Sequence, residues 1–178
     1  AQGVLWLGQH YQLVGVLSVG FAGGLQAELR PGEALLVTHI DVEGEMARPA
    51  SGAVDSRIRP DARLSHIAAM AVAQAAVVSH TGTLLSTSTV IAQATAKQAL
   101  GQRSGALAVD MESYSIGQIA AQRRIPFAVL RTIFDASYEN MPFPVLACTT
   151  ADGFFRPLPL LGYVACHPSL LGQLPHWW

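Results

Sequence analysis

Apolar, β-branched runs alternate with helix-forming stretches along most of this chain, and that alternation restricts the fold more than any other feature of the sequence. The run LVGVLSVG, residues 13–20, ends in glycine and reads as a buried parallel strand rather than a half-exposed one. EALLVTHIDV, residues 33–42, reads as a second strand, entered through the turn signal Arg30-Pro31-Gly32. Residues 43–60 carry Gly, Pro, Ser and charges without periodicity and are expected to form a loop. Asp61 then offers an N-cap for a helix through the Ala-rich stretch to about residue 73. Further on, residues 77–88 look extended, 95–100 form a short helix and 106–110 a strand. Residues 111–124 form a helix that must break before Pro126, and 126–133 form a last strand. The sum predicts an α/β fold of three layers, αβα, around a mixed, mostly parallel central sheet.

Length supports one domain spanning residues 1–178, long enough to bury roughly 70% of the unfolded surface. Charged residues make up only 13% of the chain, so much of its surface is expected to be covered, and a homo-oligomer is the expected state. The net charge of −1, with no basic run, lacks the electrostatic footprint of a nucleic-acid partner. Residues 67–78, the longest near-continuous apolar run, are interrupted by Gln74 and fall short of the ~20 residues a spanning helix needs. Residues 1–12 have no basic region ahead of an apolar stretch and do not read as a secretory signal, so the cytoplasm is the expected compartment.

In open α/β sheets ligands sit beyond the carboxyl ends of the strands. Three polar clusters fall at expected strand ends and are candidates to share a pocket: residues 20–24, 110–113 and 131–137. GFAGG, residues 20–24, lets backbone N–H groups approach an anion or a flat ring, although a tight strand-to-loop turn is the more ordinary use of such glycines. In LAVDMESYS, residues 107–115, Asp110 fits a cap for the following helix. Glu112 fits either of two roles there. A carboxylate in the first helical turn gains from the helix dipole, and its two oxygens can also accept from both hydroxyls of a sugar diol. In RTIFDAS, residues 131–137, Arg131 needs either an anion or a paired carboxylate, with Asp135 four residues on, and Asp135 also fits a cap for a helix through Ser137 and Tyr138. Asp135 itself, beside Ile133 and Phe134, is placed where desolvation raises a carboxyl pKa toward that of a general acid.

The six histidines, at 10, 39, 66, 80, 167 and 176, show no metal spacing, and no serine sits in a nucleophile elbow. Cys148 and Cys166 are not spaced as a zinc knuckle or a disulfide framework.

Three segments in this order, SVGFAGGLQAELRPGEALLV (18–37), AVDMESYSIGQIA (108–120) and IPFAVLRTIFDAS (125–137), resemble the nucleoside phosphorylase and nucleosidase superfamily. That superfamily includes purine nucleoside phosphorylases and methylthioadenosine/S-adenosylhomocysteine nucleosidases. DGFFRPLPLLGYVACHPSLLGQLP, residues 152–175, resembles the tail of its hopanoid-associated branch. The resemblance implies the phosphorylase/hydrolase-like fold and cleavage of the N-glycosidic bond of an adenine nucleoside, with adenosylhopane the substrate if the branch holds. It implies that Asp135 protonates the leaving purine and that Arg131 faces phosphate or water. It places substrate contacts at Phe21, Ala22, Gly23, Val90, Met111 and Glu112, with Glu112 on the ribose hydroxyls and Met111 against the sugar. No metal or cofactor is expected, only the nucleoside and, for phosphorolysis, phosphate as co-substrate. The resemblance implies an upstream strand and loop ahead of residues 13–20, a piece this sequence is expected to lack. A non-catalytic nucleoside-binding domain is therefore the other reading. The final LPHWW, residues 174–178, fits weak membrane contact, since tryptophan favours membrane interfaces, or a packed terminus.

Overall fold

A computed structural model describes residues 2–43 and 57–141. The chain divides into two units, Ala1–Glu139 and Asn140–Trp178, and the fold set out below is that of the first. Its elements run α1 (Gln2–His10), β1 (Val16–Gly24), β2 (Ala34–Val42), β3 (Arg57–Ile58), α2 (Ala62–Gln74), β4 (Ser79–Ser86), α3 (Ala94–Ser104), β5 (Ala108–Asp110), α4 (Ser113–Gln122) and β6 (Phe127–Asp135).

Local chemistry sets most of these boundaries. Asp61 caps α2 by accepting from the Leu64 N–H at 2.9 Å. The turn into β2 needs Gly32, whose φ of +88° is costly for any residue with a Cβ. The helix α3 closes on Gly105 in the left-handed conformation, its N–H bonded to the Gly101 carbonyl. Pro126 follows α4 and precludes its continuation.

The sheet is mixed, with strand order β3-β2-β4-β5-β1-β6, but it is not an open layer. β2 pairs along its length with β4 and, through Ala34–Leu36, antiparallel with β6, so β2, β4, β5, β1 and β6 close into a ring. The three-layer arrangement expected from the sequence is therefore replaced, in the described residues, by a barrel-like sheet. Its physical basis is a register shift in β2 between Val37 and His39, which bends the strand enough to serve two neighbours. Leu29, Leu35, Ile40, Leu84, Ala108, Val129 and Ile133 fill the main core.

β1 also departs from expectation. Ala22 and Gly24 are buried as anticipated, but Leu17, Val19 and Phe21 point outward and are 46%, 65% and 69% exposed. A continuous β-branched run does not reveal which face will be covered, and no described element covers this one. Two further elements were not anticipated, α1 and the two-residue β3, which pairs with β2 through Ile40–Ile58 and Asp41–Arg57. α1 buries none of its residues, and β3 is too short for periodicity to show. Most of the expected 43–60 loop, both cysteines, the 152–175 segment and the LPHWW terminus lie outside the described residues.

Candidate active site

Three strand ends meet at Gly23. It pairs with Val109 of β5 on one side and with Asp135 of β6 on the other. Ala22 faces Ile133 while Gly23 faces Asp135, so Phe134 is the extra residue of a bulge that carries Asp135 forward to the glycine. A Cβ added to Gly23 would stand 3.2 Å from Asp135 Oδ1, so the glycine is needed for close approach rather than for a turn. Strand pairing at Gly23 thus sets the ends of β1, β5 and β6, with residues 20–24, 110–113 and 131–137, side by side.

Asp135 is 1% exposed. Its Oδ2 accepts from Lys97 Nζ at 2.5 Å, and its Oδ1 is, among the described residues, a buried oxygen with no hydrogen-bond partner. Burial pushes its pKa up, opposed by the hydrogen bond and charge of Lys97, and the nearby Glu139 carboxylate adds to the rise. The result is a carboxyl group held toward its protonated form with one oxygen uncommitted.

Arg131 does not pair with Asp135, as one reading of RTIFDAS allowed. Its Nε donates to Asp110 Oδ2 at 3.0 Å, Nη1 to the Ser18 and Leu130 carbonyls, and Nη2 to the hydroxyls of Ser18 and Ser113. Those five bonds match the five N–H donors of a guanidinium. Gly20, opposite Arg131 in the strand pairing, leaves room for the guanidinium to lie against β1 and reach Asp110. Asp110 receives the Ser113 N–H and hydroxyl and the Ser86 hydroxyl as well, so it does hold the first turn of α4. A buried network of Ser18, Ser86, Asp110, Ser113 and Arg131 thereby fixes the β5–α4 corner.

That corner presents Met111 and Glu112. Met111 is 41% exposed, and Glu112 is exposed at the N-cap position of α4 without a side-chain capping bond. Glu112 is therefore not spent on capping, a task that Asp110 performs. The two residues follow directly on the strand whose Val109 pairs with Gly23. Of the remaining expected contacts, Ala22 is buried in the core and can offer only backbone, and Phe21 lies on the exposed face of β1, edge-on to Phe134 at 5.9 Å. Val90 is half-buried between β4 and α3, and no hydrogen bond or strand pairing among the described residues ties it to Gly23.

Lys97 was missed from sequence. ATAKQALGQRS is polar and Ala-rich, and its lysine looks like one more solvated charge. Ser86 could have been noticed, since it ends a strand beside β5. Among the described residues no group of His, Cys, Asp and Glu could hold a metal ion, and no helix is long and apolar enough to cross a membrane.

The phosphorylase superfamily profile matches residues 3–145, and the chain belongs to that superfamily. No curated protein matches the chain. Among solved structures, the Campylobacter jejuni 5'-methylthioadenosine/S-adenosyl homocysteine nucleosidase aligns with TM-score 0.69 at 19% identity, over 80% of this chain and 65% of its own. The Helicobacter pylori futalosine hydrolase aligns with TM-score 0.65 at 21% identity, over 79% and 65%. The Helicobacter pylori 5'-methylthioadenosine/S-adenosyl homocysteine nucleosidase aligns with TM-score 0.64 at 22% identity, over 76% and 61%. The chain thus spans less than two thirds of the length of each of these proteins, and the likeness establishes the fold.

Proposed function

We propose that this protein cleaves the N-glycosidic bond of an adenine nucleoside and releases adenine. One observation carries the reading: the buried Asp135 keeps Oδ1 unpartnered beside Gly23, where a side chain is missing. As the C–N bond breaks, its electron pair moves onto the base, and adenine is a poor leaving group as an anion. A proton from Asp135 onto a ring nitrogen lowers that barrier. Positive charge grows on the ribose at the same time, and Glu112 at the exposed corner is placed to accept from the sugar hydroxyls and stabilise it. The nucleophile is water or phosphate. Arg131, its donors committed inside, is assigned to holding the Met111–Glu112 corner in place. The finer reading, adenosylhopane as substrate in hopanoid side-chain synthesis, rests on the resemblance of residues 152–175.

Release of free adenine from several adenine nucleosides, measured with and without phosphate, tests the proposal. Adenine released only with phosphate marks phosphorolysis, and equal release marks hydrolysis. Binding without release from any nucleoside in either buffer leaves a binding domain instead.

Replacing Glu112 with Gln keeps its shape and removes its charge, and is expected to weaken ribonucleoside use by about 1.5–3 kcal/mol, the scale of a hydrogen bond to a charged group. An unaltered preference for ribo- over 2′,3′-dideoxynucleosides would show that the diol is read elsewhere.

We further propose a homo-oligomer in the cytoplasm, supported by the 13% charged fraction and by the exposed Leu17, Val19 and Phe21 row. Light scattering at micromolar concentration is expected to give a mass above 18.9 kDa, and a clean monomer would remove the proposal.

A further inference from the structure

Lys97 occupies a position where helices ordinarily place an apolar side chain. Along α3 the buried residues are Lys97, Leu100 and Gly101, the i, i+3, i+4 stripe that faces a core. Lys97 is 0% exposed. A buried ammonium costs several kcal/mol unless it is paired and hydrogen-bonded, so a lysine here needs a reason beyond packing. Its Nζ has two acceptors, Asp135 Oδ2 and the Ala136 carbonyl, each at 2.5 Å.

We propose that Lys97 is the positioning residue of the acid: by holding Oδ2 of Asp135 it turns Oδ1 toward the leaving base and shares with the carboxyl the proton that the base receives. The proposal rests on the glycosidic-cleavage reading above for the identity of the base, but the Lys97–Asp135 clamp is testable without it.

Proton placement makes the clamp specific. The pair holds one mobile proton, either on nitrogen as ammonium with carboxylate or on oxygen as amine with carboxylic acid, at the same net charge. In the second form the amine has two N–H bonds, and the two acceptors found satisfy both of them. With Oδ2 occupied as an acceptor, the acid proton sits on Oδ1, the oxygen without a partner. Cleavage then breaks the Oδ1–H bond and forms an N–H bond on the base, and the electron pair stays on the carboxylate. A proton returned from solvent then restores the pair. Burial favours the uncharged form of the pair and the Lys97 charge favours the ionised one, so the balance between them sets the pH at which the acid is lost.

Among the described residues the other ionisable groups facing Asp135 are few. Glu139, in the turn after β6, lies near enough to raise the Asp135 pKa. On β5 the ionisable residue is Asp110, tied to Arg131. β1 contributes none, since VLSVGFAGG has no titratable side chain.

The test is a carboxyl-carbon NMR titration of this chain and of Lys97→Met and Lys97→Gln, with Asp135→Asn identifying the resonance. Removing the lysine charge is expected to move the Asp135 midpoint upward by about 1–3 pH units, the usual effect of a close opposite charge. Leu100→Ala, on the same helix face, should lower stability and leave that midpoint in place. In the cleavage assay the alkaline limb should move down in pH in both Lys97 variants, because the carboxyl alone then holds the proton that the pair shared. The maximal rate should fall about tenfold or more in the Met variant, which has no donor for Oδ2, and less in the Gln variant. A midpoint unmoved or lowered in both variants overturns the clamp, whatever the activity. A midpoint that moves as expected in a chain that releases no adenine sustains the clamp and sinks the glycosidic-cleavage reading alone.

Discussion

Asp135→Asn is expected to leave the protein folded and to lower the rate of adenine nucleoside cleavage by about 10²–10⁴-fold, the range that a positioned general acid contributes. Asparagine keeps the planar shape. Its carbonyl can still accept from Lys97, and its amide nitrogen takes the place of Oδ1 beside Gly23. Loss of the countercharge to the buried Lys97 should cost about 3–5 kcal/mol, less than the stability of a domain in the upper part of the usual range of about 5–15 kcal/mol. Circular dichroism and a urea midpoint check that separately from the rate. The loss should be smallest for 4-nitrophenyl riboside, whose leaving group departs without a proton. Stability carries its own signature. The folded-state pKa of Asp135 is raised above 3.8, so its contribution is complete below that value and is lost as pH rises through the folded pKa. In the Asn variant that pH dependence should vanish. Parent-rate cleavage of adenine nucleosides by Asp135→Asn would return Asp135 to a structural role.

What the sequence reveals about this site follows from which residues act through local rules. Asp61 and Asp110 are legible as caps because a cap is a contact with the next turn of the same chain. Gly20, Gly23 and Asp135 are legible as strand-end features, since strand ends are where such folds collect polar groups. The partners of the buried charges are not. Arg131 and Asp135 lie four apart on one strand and look like a pair, yet pairing with distant elements sends one to Asp110 and the other to Lys97. Nothing local in ATAKQAL marks its lysine as inward, because the neighbouring positions are small or polar and the helix stripe is short. Ring closure is likewise a property of β2 serving two neighbours, which a strand-by-strand reading cannot see.

Arg131→Met is expected to lower folding stability by about 3–5 kcal/mol, the cost of leaving a buried charge without its partner. Arg131 is 1% and Asp110 8% exposed, so water cannot replace the lost donors. Methionine fills much of the volume but supplies none of the five N–H bonds, leaving the Ser18 carbonyl and hydroxyl short of a donor. Asp110 retains the Ser86 and Ser113 hydroxyls, which softens the loss without neutralising the carboxylate. Neutralising it as well, in Arg131→Met with Asp110→Asn, should recover about 0.5–3 kcal/mol relative to the sum of the single changes, the coupling usual for residues in one network. Urea midpoints for the four proteins, at a constant slope, give this cycle directly. The same network holds the corner that presents Met111 and Glu112, so any Arg131→Met protein that folds should bind ribonucleosides more weakly and keep its ratio of activities with and without phosphate. A midpoint equal to that of the parent, together with loss of a phosphate requirement, would instead put the guanidinium on the nucleophile. The five internal bonds of Arg131 would then have to open for catalysis.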